Sequence, residues 1–547
     1  MSDGRTTRGR LGGLGALFFL GSLGAIAFYV QQQEVPRARD EVRKTATMLP
    51  EVVEEPASPT LPWQDRLDLS AAILRPFGPT PTPGAAPTEP GSDDAAAGRR
   101  GAATVDPAQG RLVQDINDGH RILLTLDPVL QDSALTIFRN REVPYAAAVV
   151  LDLRDNAVLA LAGHSSMDPE VDPLEVVTAA WAPAASTFKL VTTATLLHTQ
   201  RATPSTRVCF HGGLHGIEDD ALRDDPARDT RCETLSDAVA HSYNLVIAKL
   251  AMQHLPQDTL LDMAKALRFE TEIPFEIPIE RSPAHIPADP VERAKVAAGF
   301  WNIDLSPMHG ALLASILARG GVYQPPHVIA QVIGPDGRDL TPARPKSQRV
   351  LGRDVAIAVG EMMVGTTTEG TARKSFRDAQ GNDYVPGVDV AAKTGSLTGK
   401  RPPALNYNWF IGYAPADAPE IAFAVLLANE PKWRIKAHYA GRRLVQIYLE
   451  RRGEIARQRD ARLEPDALAL PQRDPSGALL TANSSSKPAK PAPAAHAKPT
   501  VATPTHADPT AAAAPSQPTS APAPATDESA SALPPVPGAL PKPPSGA

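Results

Sequence analysis

At 547 residues the chain is too long for one ordinary domain, so one large domain with accessory segments is expected. A net charge of -6 argues against a dedicated nucleic-acid binder, which carries a concentrated basic surface. The 56 prolines crowd into roughly 50–107 and again beyond 470, among Ala, Ser and Thr. Such segments bury too little apolar surface to offset ordering entropy, which places the ordered part between about 110 and 455.

Residues 11–30, LGGLGALFFLGSLGAIAFYV, carry no charge, and a helix of that length spans roughly 30 Å. Arg5, Arg8 and Arg10 precede it against a single Asp3, so the positive-inside rule keeps residues 1–10 in the cytoplasm and exports the rest. The expected location is the plasma (inner) membrane, crossed once, with the main domain on the periplasmic or extracytoplasmic side. A cleaved signal peptide competes, because Ala25-Ile26-Ala27 resembles a cleavage site. The apolar run continues through Val30, which favours an uncleaved anchor. Residues 31–119 read as a proline-rich linker, with one amphipathic helix possible at 63–74. The folded domain is placed at 120–455 and a Pro/Ala-rich disordered tail at 456–547.

Within the domain, 145–152 and 157–163 are apolar runs joined by Leu153-Arg154-Asp155-Asn156, a hairpin signal. Helical spacing of apolar residues begins at Ser186 and runs through Leu197. Cys209 and Cys232 are the only cysteines, and a pair exported to an oxidising compartment reads as a disulfide. With His211 and His215 they also form a possible tetrahedral zinc set, and spacing alone leaves disulfide, metal and free thiols open. Residues 234–252 give two short helical stretches with Ser242 at their junction. The run MHGALLASILARGG at 308–321 reads as a core helix stopped by Gly320 and Gly321. Three strands follow in VDVAAKTGS, NWFIGYA and EIAFAVLLAN. A hairpin early and three strands late imply an α+β architecture: an antiparallel sheet built from both chain ends, flanked by helices, with an all-helical subdomain between.

Lys189 follows Ser186 by three residues, one helical turn away on the same face. A serine hydroxyl is a poor nucleophile at neutral pH unless an adjacent base takes its proton. For Lys189 to be that base its pKa must fall from about 10.4 toward neutrality, a cost of roughly 4–5 kcal/mol. Burial and a nearby cation do this, and Lys393 is the candidate cation, with attraction of a substrate carboxylate as its second duty. Ser242 is placed to relay a proton toward a leaving amine, and Asn244 has the donor and acceptor to bind a substrate amide. In Lys393-Thr394-Gly395-Ser396, Gly395 removes a side chain where a substrate backbone would approach and pair along the strand. Thr394 and Ser396 offer hydroxyls to a carboxylate, and the amides of Ser186 and Ser396 are candidates for an oxyanion hole. No metal or organic cofactor is needed for such chemistry. Each motif alone is weak. All three in order are a strong signal.

Ser186-Thr187-Phe188-Lys189, Ser242-Tyr243-Asn244 and Lys393-Thr394-Gly395-Ser396 resemble the three motifs of the penicillin-binding transpeptidase and serine β-lactamase superfamily. Residues 122–131, 305–321, Gly370-Thr371-Ala372 and 409–416 also resemble shared stretches, so the likeness covers about 120–450. It implies a monofunctional D,D-transpeptidase that cross-links peptidoglycan stem peptides ending in D-Ala-D-Ala. It implies β-lactams as covalent inhibitors and a cell-wall synthesis complex as a partner. Ala185 stands where glycine is common in transpeptidases, and Pro183-Ala184-Ala185 resembles class D β-lactamases. Asn244 stands where those enzymes resemble valine. No segment resembles a glycosyltransferase domain or the folded N-terminal module of typical monofunctional members. The alternatives are a D,D-carboxypeptidase or class D-like β-lactamase of the same fold, or a non-catalytic scaffold that senses muropeptides or β-lactams.

Overall fold

The computed structural model describes residues 104–106, 110–116, 119–399, 404–431 and 435–460. The expected anchor at 11–30, the helix at 63–74 and the tail beyond 460 lie outside the described residues. Among the described residues no helix is long and apolar enough to cross a membrane.

Two short strands, β1 (Thr104–Val105) and β2 (Leu112–Asp115), lie inside the segment expected to be linker. They join β3 (Arg121–Leu124) in a four-stranded sheet, so the folded domain begins before residue 120. Asp127 caps α1 (Pro128–Asn140) by accepting from the Leu130 amide at 2.8 Å, and Pro128 at the first helical position loses no hydrogen bond there. The expected hairpin follows as β4 (Tyr145–Asp152) and β5 (Ala157–Ser165). Asn156 turns it with a φ of 60°, a conformation asparagine tolerates.

After α2 (Pro173–Thr178) and β6 (Ala182–Pro183), one 3-10 turn at Ala185–Phe188 leads into α3 (Lys189–His198). A ribbon of β7 (Arg207–Phe210) and β8 (Arg231–Thr234) places Cys209 opposite Cys232, and the two are disulfide-bonded. The thiols are spent in that bond, so the four-ligand zinc set is not formed. Next come α4 (Leu235–Ala240), α5 (Asn244–His254), α6 (Gln257–Ala266) and α7 (Pro290–Ala297). These make the helical subdomain, which carries the ribbon in addition.

Strand β9 (Asp304–Leu305) pairs with β6 and precedes α8 (Pro307–Ala318), which is buried from Pro307 to Leu317. Its run ends at Gly320 and Gly321, both with positive φ, as the sequence predicts. Strand β10 (Val322–Tyr323), β11 (Ile329–Ile333), which pairs with β3, and β12 (Gln348–Arg349) lead to α9 (Arg353–Thr368) and α10 (Arg373–Phe376). The last elements are β13 (Ala391–Thr398), β14 (Asn406–Ala414), β15 (Ile421–Asn429) and α11 (Ala437–Asp460). Helix α11 runs past 455, so the first residues assigned to the tail are helical.

The central sheet has the order β13-β14-β15-β4-β5 and is antiparallel throughout. Strand alternation divides its residues between two cores. Trp409, Ile411 and Ala424 face α8, whose Gly310 lets the helix approach them closely. Phe410, Phe423 and Val425 face the opposite core with residues of α1 and α11. Strand β13 is left at the sheet edge, and that edge bears the third motif.

Candidate active site

The nucleophile turn is held in place by backbone geometry rather than by side-chain packing alone. Ala185 has a φ of 50°, which L-residues adopt at a cost of roughly 1–2 kcal/mol. That explains the departure noted at this position: the turn demands a left-handed residue, glycine adopts it freely, and alanine accepts strain. Gly299 (φ 92°) packs its backbone onto the same peptide, where an added Cβ would lie 2.3 Å from the Ala185 carbonyl oxygen. Thr187 Oγ1 donates to the Ala184 carbonyl at 2.6 Å and closes the turn.

Ser186 is half-buried and faces the cleft, while Lys189 behind it is fully buried. Lys189 Nζ lies 2.7 Å from Ser186 Oγ, 2.7 Å from Asn244 Oδ1 and 2.5 Å from the Ala298 carbonyl oxygen. Burial, then the charge of Lys393, hold the Lys189 amine well below the ordinary lysine value. The order matters. The neighbouring cation expected from sequence contributes, but desolvation is the larger cause. Lys393 is itself fully buried, and burial brings it down to about 7. Its Nζ donates to Ser242 Oγ at 2.8 Å and to the Thr394 carbonyl at 2.9 Å.

Ser242 sits between α4 and α5 with a φ of 60°, and Asn244 opens α5. This junction was expected, and it brings the second motif against the other two. Asn244 spends its amide on the protein: Oδ1 accepts from Lys189 and Nδ2 donates to the His215 carbonyl.

On β13, Lys393 and Gly395 pair with Ile411 and Trp409 and so share the face that meets the nucleophile turn. A Cβ on Gly395 would meet Thr187 Cγ2 at 3.1 Å, Trp409 Cβ at 3.2 Å and the Ala184 carbonyl oxygen at 3.3 Å. The glycine therefore admits the nucleophile turn, not the open strand edge where the sequence suggested a substrate backbone would need room. Thr394 and Ser396 alternate to the other side. Thr394 Oγ1 lies 2.6 Å from Thr371 Oγ1, and Ser396 Oγ accepts from Asn408 Nδ2 at 2.8 Å.

These groups line one cleft of about 420 Å³, which contains Ser186, Ser242, Asn244, Thr394 and Ser396. Lys189, Lys393 and Gly395 stand directly behind that lining. Thr371, His215, Asn408, Lys436 and His438 also line it and were not chosen as site residues. Thr371 was visible only within the shared Gly370-Thr371-Ala372 stretch. Asn408 could have been found by register, because it lies opposite Ser396 on the paired strand. His215 was singled out only as a possible zinc ligand, and its place in the disulfide-closed loop gives no pattern that points to this cleft. Among the described residues no group of three or more His, Cys, Asp or Glu side chains is arranged to hold a metal ion.

The family model of the penicillin binding protein transpeptidase domain matches residues 146–447, more than half of the chain. The chain belongs to this family. The peptidoglycan D,D-transpeptidase PbpA of Mycobacterium tuberculosis is 27% identical over 316 residues, covering 52% of this chain and 62% of the relative. The chain thus spans less than two thirds of that relative's length. PbpA of Mycolicibacterium smegmatis is 25% identical over 343 residues, covering 57% of this chain and 68% of the relative. Among solved structures, PBPA from Mycobacterium tuberculosis aligns at a TM-score of 0.50 and 25% identity, covering 60% of this chain and 82% of that one. Penicillin binding protein 3 from the same organism aligns at 0.52 and 20% identity, covering 64% and 83%, which shows the shared transpeptidase fold alone.

Proposed function

We propose that the chain is a serine D,D-transpeptidase that cross-links peptidoglycan stem peptides. The observation that carries this is the 2.7 Å approach of a buried amine, Lys189 Nζ, to the cleft-facing Ser186 Oγ. The relatives named peptidoglycan D,D-transpeptidase support the choice of substrate class.

Ser186 Oγ attacks the carbonyl carbon between the two terminal D-Ala residues while neutral Lys189 takes its proton. The amides of Ser186 and Ser396 hold the oxyanion. As the intermediate collapses, the C–N bond breaks and the departing D-Ala amine gains a proton through the Ser242 hydroxyl, beside Lys393. The acyl-enzyme ester is then attacked by the amine of a second stem peptide, which restores Ser186. Thr394 and Ser396 bind the terminal carboxylate, and Asn244 keeps Lys189 aimed at the hydroxyl. A β-lactam would acylate the same serine and leave slowly.

Intact-mass measurement after benzylpenicillin treatment tests the reading. A stable adduct should map to the peptide holding Ser186 and vanish in Ser186→Ala. Rapid repeated hydrolysis of nitrocefin would instead select the β-lactamase alternative.

We further propose that residues 11–30 anchor the chain in the plasma membrane, with the folded domain outside the cytoplasm and within reach of a cell-wall synthesis complex. The uncharged run, the arginines before it and the disulfide in the folded domain support this. Retention in membranes after carbonate extraction, with protease access to the domain from the outer side, is the expected result. Release by carbonate would contradict it.

A further inference from the structure

We propose that the disulfide-closed loop 209–232 is a positioning element for the reaction, docked by Lys249, that fixes Asn244 and through it the Ser186–Lys189 pair. The inference rests on the transpeptidase reading above and adds to it a part of the molecule that none of the three motifs includes.

The loop meets the site through Asn244. Its Leu214 carbonyl accepts from the Asn244 backbone amide at 2.9 Å, and its His215 carbonyl accepts from Asn244 Nδ2. The second contact decides which way the Asn244 amide points. With Nδ2 held by the loop, Oδ1 is left for Lys189 Nζ at 2.7 Å. If the amide turned over, its NH2 group would face the lysine amine, and the base would lose an acceptor that holds it beside Ser186. The His215 side chain also lines the cleft.

Several ties hold the loop, among them Lys295 Nζ to Asp219 Oδ1 at 3.0 Å, and two bear on Asn244. One is the Cys209–Cys232 bond at its base, in the β7–β8 ribbon. The other is a charge cluster beneath it. Lys249 of α5 is fully buried and its Nζ donates to the Cys209 carbonyl at 2.9 Å. It also contacts Asp229 Oδ2 at 3.0 Å and Asp224 Oδ1 at 2.9 Å. Asp229 Oδ1 lies 2.5 Å from His211 Nδ1. A lysine so deeply buried is costly unless paired, and Cys209, Asp224 and Asp229, which pair it, all lie in this loop. Because Lys249 and Asn244 belong to the same short helix, the cluster fixes the loop to the element that carries Asn244.

Groups that face Lys189 come from several elements: Lys393 from β13, Asn244 from α5, Ser186 from the nucleophile turn and the Ala298 carbonyl. The loop's His215 feels the same set: burial first, then the Lys189 charge, hold its imidazole below the ordinary value. Loosening the loop admits water to this set, and water restores the charged form of Lys189. The acidic limb of acylation then moves to higher pH.

The test uses the full-length protein and labelled penicillin, with acylation rates measured from pH 6 to 10 before and after dithiol treatment. Cys209 is exposed and open to the reagent. The dithiol supplies two electrons and two protons, the S–S bond breaks to two thiols, and the reagent closes to its own disulfide. The expected result is acylation about tenfold slower at pH 7, a limb moved up by about one pH unit, and recovery on reoxidation. Should reduction abolish the near-UV circular dichroism of the folded protein, Lys249→Met and Lys249→Arg decide instead. The methionine variant should reproduce the slow, shifted profile, and the arginine variant should restore most of the rate. Identical profiles for oxidised and reduced folded protein, or for both Lys249 variants and the parent, overturn the inference. Failure of the oxidised parent to acylate would strike the transpeptidase reading itself, so the two failures are distinct.

Discussion

Replacing Gly395 by alanine separates two roles for the glycine. The new Cβ would stand 3.1 Å from Thr187 Cγ2, 3.2 Å from Trp409 Cβ and 3.3 Å from the Ala184 carbonyl oxygen. Each distance is tighter than ordinary contact, so the nucleophile turn must yield by a few tenths of an ångström. Overpacking of this kind costs about 1–3 kcal/mol. Stiffening the unfolded chain by removing a glycine returns about 0.4–1 kcal/mol, which leaves a net loss of about 1 kcal/mol. If the strain falls on the turn that carries Ser186, acylation slows by up to about tenfold, since 1.36 kcal/mol on the barrier is a factor of ten. Thr187→Ser removes the methyl group that the new Cβ meets first and keeps the hydroxyl that closes the turn on Ala184. Gly395→Ala should therefore cost less in the Thr187→Ser background, with a coupling of about 0.5–1 kcal/mol. Urea unfolding and stopped-flow acylation by labelled penicillin measure both quantities. Equal losses in the two backgrounds would refute the argument and return the glycine to substrate clearance at the strand edge.

Three other predictions follow from the same geometry. Ala185→Gly should change stability by less than about 1 kcal/mol, because relief of the left-handed strain offsets the lost methyl group; Ala185→Val should cost about 2 kcal/mol or more in urea unfolding, because a β-branched residue resists positive φ. Asn408→Ala leaves the buried Ala437 amide without its 2.7 Å acceptor and Ser396 without a donor, so thermal unfolding should show a loss of about 1–3 kcal/mol together with slower acylation. Lys393 has its folded-state pKa lowered to about 7, so between about 7 and its unfolded value near 10.5 the unfolded chain binds more protons and stability rises with pH. Lys393→Met should flatten that rise in thermal midpoint between pH 7 and 9, and an unchanged slope would contradict the burial argument.

The gathering of the three motifs in one cleft was legible because each is written in local spacing. A serine and a lysine three residues apart on one helical turn must share a face, and the helix breaks where Ser242 was expected to sit. The buried α8 and the β4–β5 hairpin were legible for the same reason, each being one uninterrupted pattern with its own stop. The four-stranded sheet was not. Strands β1 and β2 are two and four residues long, follow a proline-rich stretch, and gain their structure through β3 from β11, about two hundred positions away. The reason for Gly395 was also out of reach, since it lies in contacts with Thr187 and Ala184 that only the folded chain creates. Asn244 was expected to bind a substrate amide, but its own amide is engaged by Lys189 and by a loop carbonyl that no motif marks.

The state of the Lys189 amine is best measured by the rate constant for acylation of Ser186 by benzylpenicillin across pH 5 to 11. The coupled Lys189–Lys393 pair should give an acidic limb whose apparent pKa lies well below 10.5, with a plateau above it. A rate that keeps climbing tenfold per pH unit to 10.5 would show an ordinary charged lysine beside the serine, and the account of how this hydroxyl becomes reactive would be wrong.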